Sequence, residues 1–180
     1  MDFLQSGNQT QITPKIQKIS DRLEGTAFNY IANVLLWIEQ NIKTQRNHPD
    51  KGKLLRTRTA DQIISDGFAT GCTDIALVFI VLTRAKGLPT KYVEAIKESW
   101  LQRGSENSLE GHVFAEVEID DNWYQVDPDM LTIKLYRSYK GFQIYEKGLD
   151  SWDLGIDSFE KLKEVFLEFR SLHAQKYFSR

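Results

Sequence analysis

Residues 72–86, CTDIALVFIVLTRAK, decide the fold. The segment is helical in length and apolar nearly all round, and it is followed by Gly87, the usual residue for a left-handed helix end. A helix without a polar face is stable only when other elements cover every side, so this one is expected to be central and buried. Upstream of it, residues 14–23 read as a short helix and residues 26–44 as a longer one. In the longer one Phe28, Ile31, Leu35, Ile38 and Ile42 recur at three- and four-residue spacing, which predicts one core-facing side. A polar, turn-rich loop follows at residues 48–52. Thr59-x-x-Gln62 then has the form of a capping box, opening a short helix that stops near Gly67.

Downstream the period changes from helix to strand. Residues 89–96 carry β-formers. In residues 112–119 (HVFAEVEI), Val113, Ala115, Val117 and Ile119 share one face, and His112, Phe114, Glu116 and Glu118 share the other. Asp120, Asp121 and Asn122 supply turn chemistry before a returning strand at residues 123–126, making an antiparallel hairpin with 119 opposite 123 and 115 opposite 127. A further strand is expected at residues 141–146. Asp157 with Glu160 is expected to cap a last helix running to about Tyr177. Helices first, strands next and a helix last define an α+β class. No repeat or Pro/Gly/Ser-rich linker divides the chain, so a single domain is expected over residues 1–180, with its core at about 54–147 and helical flanks at 14–45 and 157–177.

Composition narrows the function. The 180 residues are 41% hydrophobic and 27% charged, with 23 basic against 25 acidic side chains and a net charge of −2. That balance lacks the general phosphate attraction of a nucleic-acid binder, so nucleic acid is not an expected partner. The longest apolar run, residues 76–82, is about a third of the roughly 20 residues a membrane helix needs, and no membrane association is expected. The start MDFLQSGNQTQITPK has no secretory pattern, from which a cytoplasmic location is expected. A single cysteine, Cys72, excludes an internal disulfide and any CxxC zinc cluster, and neither metal nor cofactor is expected.

Cys72 sits at the start of the apolar helix, where unpaired N–H groups favour thiolate over thiol and can also donate to an oxyanion. The bland reading is strong, because free cysteines are commonly buried apolar fillers. His112 lies on the strand face opposite the apolar set. A lone histidine of this kind is most often structural, hydrogen-bonded to nearby backbone. Asp127 ends the returning strand, and a register error of two or three residues would place it beside His112; a turn cap before Pro128 is its ordinary alternative. Together Cys72, His112 and Asp127 supply a nucleophile, a base and a carboxylate that fixes the imidazole tautomer.

Three features, the G-C-x-D start at Gly71, Cys72 and Asp74, the R-x-x-G-x-P segment at Arg84, Gly87 and Pro89, and the strand His112-x-Phe114-x-Glu116-Val117 followed by Trp123-x-x-x-Asp127-Pro128, resemble the transglutaminase-like superfamily. The resemblance covers about 60 residues. Phe114 stands where many members have Trp, which keeps an aromatic on the histidine face. What the resemblance implies is a papain-like fold, with the cysteine on a helix facing a sheet that carries the histidine and aspartate, and a Cys72–His112–Asp127 triad. It also implies a second oxyanion donor, for which Gln62 and Thr70 are the candidates. Asp74 is expected to be structural, complementing the helix dipole. Trp100 and residues 102–110 read as a solvated loop or a flap over the site.

The expected function is a cysteine-dependent amide hydrolase or acyltransferase working through a thioester on a peptide or other amide substrate. Hydrolysis is favoured over cross-linking because the sequence shows no companion β-sandwich and no calcium-site pattern. The alternative is a non-catalytic peptide- or protein-binding module on the same fold.

Overall fold

A computed structural model describes residues 2–173. The chain opens with α1 (Pro14–Arg22), whose first turn is set by proline at its start and by the Thr13 side chain accepting from the Ile16 N–H. There follow α2 (Ala27–Asn41), β1 (Lys43–Thr44), α3 (Lys51–Leu54), α4 (Ala60–Asp66), β2 (Phe68–Ala69) and the central α5 (Cys72–Ala85). The second half comprises β3 (Thr90–Lys97), α6 (Glu98–Arg103), β4 (Gly111–Ile119), β5 (Asn122–Asp127), β6 (Thr132–Lys134), β7 (Phe142–Gly148) and α7 (Phe159–Leu172).

α5 is the axis of the fold. Residues 73–84 are buried without interruption, as an all-round apolar helix requires. α1, α2 and α4 cover one side, and β3 and β4 the other through Val113, Ala115, Val117 and Tyr92. The sheet is antiparallel in the order β6-β5-β4-β3-β7. At the Cys72 end of α5 a second cluster, Ile96, Trp100, Ile156, Leu162, Val165 and Phe166, fixes α6 and α7. A small parallel pair, β1 with β2, ties the end of α2 to the segment that enters α5. Among the described residues no helix is long and apolar enough to cross a membrane.

Several expectations are corrected in detail. The long upstream helix stops at Asn41, because Lys43 and Thr44 pair with β2 instead. Phe28 leaves the core face predicted for it: it is 36% exposed and meets Tyr124 edge to face at 4.8 Å, while Ile31, Leu35, Ile38 and Ile42 are buried. The last helix is capped by Ser158, whose hydroxyl accepts from the Lys161 N–H, and not by Asp157. Its expected extension over residues 174–177 lies outside the described residues. Trp100 is no part of a flap, being fully buried in α6 and donating its indole N–H to the Ser105 carbonyl.

The hairpin correction matters most for the site. Asn122 pairs with Ile119, so the turn has only two central residues, Asp120 and Asp121, both with positive φ (49° and 62°). This left-handed pair is the form a two-residue hairpin turn requires to match strand twist. Relative to the expected register every partner moves by one residue: Ala115 faces Val126, so Asp127 comes opposite Phe114. Because side chains alternate, the single step carries Asp127 from the core face to the face that bears His112.

Candidate active site

Cys72 is the first residue of α5 and is partly exposed. The backbone before it is held by Asp74, a buried carboxylate one turn into the helix. One oxygen of Asp74 accepts from the Thr70 N–H at 2.7 Å, the Thr70 hydroxyl at 2.8 Å and Arg58 Nη2 at 2.6 Å. Asp74 thus reaches back over the turn and fixes it, a stronger constraint than the expected dipole complementarity alone. Arg58 extends the brace to Asp66 at 2.9 Å and to the Phe68 carbonyl, and its guanidinium lies over the Phe68 ring. Gly71, just before Cys72, is not required by its backbone conformation. Its φ of 176° is extended backbone open to any residue, and a Cβ there would meet nothing within 4 Å.

His112 begins the inner part of β4. Its Nε2 lies 2.8 Å from Asp127 Oδ2, and Asp127 Oδ1 accepts from the Met130 N–H at 3.2 Å. Both side chains are largely buried. With Nε2 engaged by the carboxylate, Nδ1 is the ring nitrogen left to exchange a proton. Burial alone would push the His112 pKa down. The hydrogen bond that His112 donates to Asp127, then the contact with Cys72 and its charge, outweigh burial and raise it from 6.5 to about 10. His112 stands between two depressions. One holds Cys72, and the other, on the far face of the sheet, is formed with Phe114, Asp127, Tyr139 and Phe142. Phe114 and Phe142 pack edge-on and tilted against the imidazole, fixing its plane from that side.

The depression at Cys72 encloses about 230 Å³. Its lining comprises Thr70, Gly71, Cys72 and Thr73 with His112 and Val113, the cationic Arg46 and Lys51, and the apolar Leu109, Phe159, Leu162 and Phe166. Beneath lies a buried pair in which Arg56 grips both carboxylate oxygens of Glu94 (2.8 and 2.9 Å) and shares Tyr92 OH with it. Neither Arg46, Arg56 nor Glu94 was anticipated from the sequence, since each is brought to Cys72 from a distant segment with no local motif around it. Among the described residues no cluster of three or more His, Cys, Asp or Glu side chains is placed to hold a metal ion.

Both sequence candidates for an oxyanion donor are otherwise engaged. Gln62 is an exposed residue occupied in the capping box with Thr59, and Thr70 gives both its N–H and its hydroxyl to Asp74. Asp129, the other carboxylate near the strand end, is bound by Arg46 at 2.8 Å.

The comparisons with known proteins agree with this architecture. The Transglutaminase-like superfamily profile matches residues 14–128, from α1 through Cys72, His112 and Asp127. The chain belongs to the transglutaminase-like superfamily. A solved structure of a candidate cysteine protease from Cytophaga hutchinsonii superposes with a TM-score of 0.64 at 20% identity, over 86% of this chain and 48% of that one. That likeness concerns the fold, and the chain spans about half the length of that protein. No curated protein matches the chain.

Proposed function

We propose that the protein is a cysteine-dependent amide hydrolase in which Cys72 is the nucleophile, His112 the acid and base, and Asp127 the group that orients the imidazole. The observation that carries this reading is the 2.8 Å His112–Asp127 bond made at the rim of the same depression that contains Cys72. The raised His112 pKa supports an imidazolium at neutral pH, which is the partner a thiolate needs.

The chemistry then follows from the groups in place. The Cys72 thiolate attacks the amide carbonyl and an oxyanion forms beside the start of α5, where the Cys72 N–H can donate to it. The C–N bond breaks as His112 gives its Nδ1 proton to the departing amine, leaving a thioester on Cys72. Water attacks the thioester with His112 taking its proton, the C–S bond breaks, and acid product and thiolate are released. Hydrolysis is preferred to transfer because water needs no binding site of its own, whereas an amine acceptor needs one beside the thioester.

Incubating the protein with a mixed peptide and amine library, and reading intact mass and products, tests the proposal. A mass added on Cys72 that decays to free acid is expected. Accumulation of amine-linked product would reassign the reaction to acyl transfer. Absence of both, in a protein whose Cys72 still reacts with iodoacetamide, would overturn the catalytic reading.

A further inference from the structure

The side of the depression nearest α3 is built for an anion. Arg46 is set in place by Asp129, whose own side chain is only 6% exposed, while the guanidinium remains 54% exposed. The geometry of this pair is unusual in a useful way. Both carboxylate oxygens contact the same nitrogen, Nη2, at 2.8 Å, where a fork-to-fork pair would use two. Nη1 and Nε therefore keep N–H groups that no described residue accepts. Lys51, exposed at the start of α3, lines the same depression and makes no ion pair among the described residues.

The charge of the lining is one-sided. Glu94 is its single carboxylate, and both of its oxygens are committed to Arg56. The His112 imidazolium is matched by Asp127 and by the Cys72 thiolate, Arg46 has its one carboxylate partner, Asp129, outside the lining, and Lys51 has none among the described residues. Arg46 and Cys72 line the same depression, and the charge on Cys72 favours the charged guanidinium, so a ligand group held by Arg46 shares the depression with the attacked carbon. The apolar side, Phe159, Leu162 and Phe166 with Leu109, leaves room for a neighbouring apolar side chain and offers it no polar partner.

Resting on the hydrolase reading above, we infer that the site takes amides whose acyl portion carries a carboxylate, held by Arg46 and Lys51, with an apolar residue beside it against Phe159 and Leu162. The acyl side is the one that benefits from a fixed anchor, because it must stay bound through both thioester formation and hydrolysis, while the amine leaves after the first. A peptide bond following an acidic residue, itself preceded by an aliphatic one, has this chemistry.

Peptidyl acyloxymethyl ketones ending in Leu-Glu and Leu-Gln make the test, because the two differ by one charge at constant size. In each, the Cys72 sulfur forms a thioether bond to the methylene carbon and the acyloxy carboxylate departs. Second-order labelling rates are read by intact mass on the full chain. The Glu probe is expected to label roughly tenfold faster at low salt, the size of one charge-assisted hydrogen bond. The advantage should shrink as salt rises, since the anchor is partly exposed. Arg46→Gln and Lys51→Gln should each lower the Glu/Gln ratio. Should Arg46→Gln fail to fold, Lys51→Gln, an exposed position with no ion pair to lose, decides the matter. Equal rates for the two probes in the unmodified protein, or a ratio untouched by Lys51→Gln, would overturn the inference while leaving the hydrolase reading intact. Labelling by neither probe, with iodoacetamide still modifying Cys72, would instead overturn the hydrolase reading and this inference with it.

Discussion

Removing the Asp74 carboxylate should uncouple the turn at Cys72 from the rest of the fold. Asp74 is 1% exposed and one of its oxygens receives three donors, one of them a buried guanidinium. In Asp74→Ala the Thr70 N–H and hydroxyl lose their acceptor, and Arg58 keeps only the half-exposed Asp66 as a charged partner. Breaking a buried charge pair from one side costs about 3–5 kcal/mol. For a chain of this size each kcal/mol lowers Tm by about 2–4 °C, so a fall on the order of 10 °C is expected. Asp74→Asn retains an acceptor oxygen for Thr70 but not the charge. Its other oxygen position, already without a partner, would hold a buried amide N–H₂ with nothing to donate to, and a loss of about 2 kcal/mol is expected. Urea unfolding measures both, and iodoacetamide labelling of the folded fraction reports whether Cys72 has moved. A loss below about 1 kcal/mol in Asp74→Ala would refute the brace. So would a large loss of stability with the labelling rate of folded molecules unchanged, because the turn would then be positioned by something else.

Cys72 should be alkylated by iodoacetamide near pH 6 faster than glutathione is, and His112→Ala should slow that reaction and move its pH profile upward; an unchanged profile in a folded variant would leave His112 structural. Asp127→Asn should reduce turnover per folded molecule by tenfold or more, on the order seen when a triad carboxylate is neutralised, and should lower the urea midpoint at pH 6 more than at pH 10, because the His112 charge loses its partner. The folded-state pKa of His112 lies above its unfolded value of 6.5, so its stabilisation is complete below that pH and is lost as pH rises toward about 10. Urea midpoints at pH 6 and pH 10 should therefore differ more in the unmodified protein than in His112→Ala, and equal differences would contradict the charge assignment. Gly111→Ala should destabilise, since a Cβ would come within 2.7 Å of the Phe166 ring and 2.9 Å of the Ala95 carbonyl; thermal melting with no shift would show that α7 yields freely.

The central helix was legible because its signal is local and redundant: an apolar run, a glycine stop and a first-turn acid all give the same bounds. The capping box at Thr59 and Gln62 was legible for the same reason, and both of its hydrogen bonds are present. The pairing of His112 with Asp127 was only half legible. Alternation put His112 on the correct face, but the face of Asp127 depends on whether two or three residues make the turn, and Asp-Asp-Asn allows either. The left-handed conformation of two adjacent aspartates is chosen by the strands on either side, not by the turn residues alone. Trp100 was misread because the polar stretch that follows Leu101 hid a residue that α7, some sixty positions later, encloses. Arg46, Arg56 and Glu94 were invisible, being brought to Cys72 by contacts across tens of residues of sequence.

The all-round burial of α5 has a consequence for how the chain is made. When Ala85 has emerged from the ribosome, α1, α2 and α4 are already available to cover one side of the helix, but the other side belongs to strands not yet synthesised. The last of these contacts ends at Ile119, 34 residues later. At 5–20 residues per second that is roughly 2 to 7 s, far longer than a helix or a local collapse takes to form. For that interval the side of α5 that will meet Val113, Ala115 and Val117 has no partner, and the sheet-facing half of a strongly apolar helix stands open to chaperones or to another nascent chain. Slower translation lengthens the exposure, so the open face of α5 ties the yield of folded chains to the rate of synthesis as well as to the stability of the finished protein.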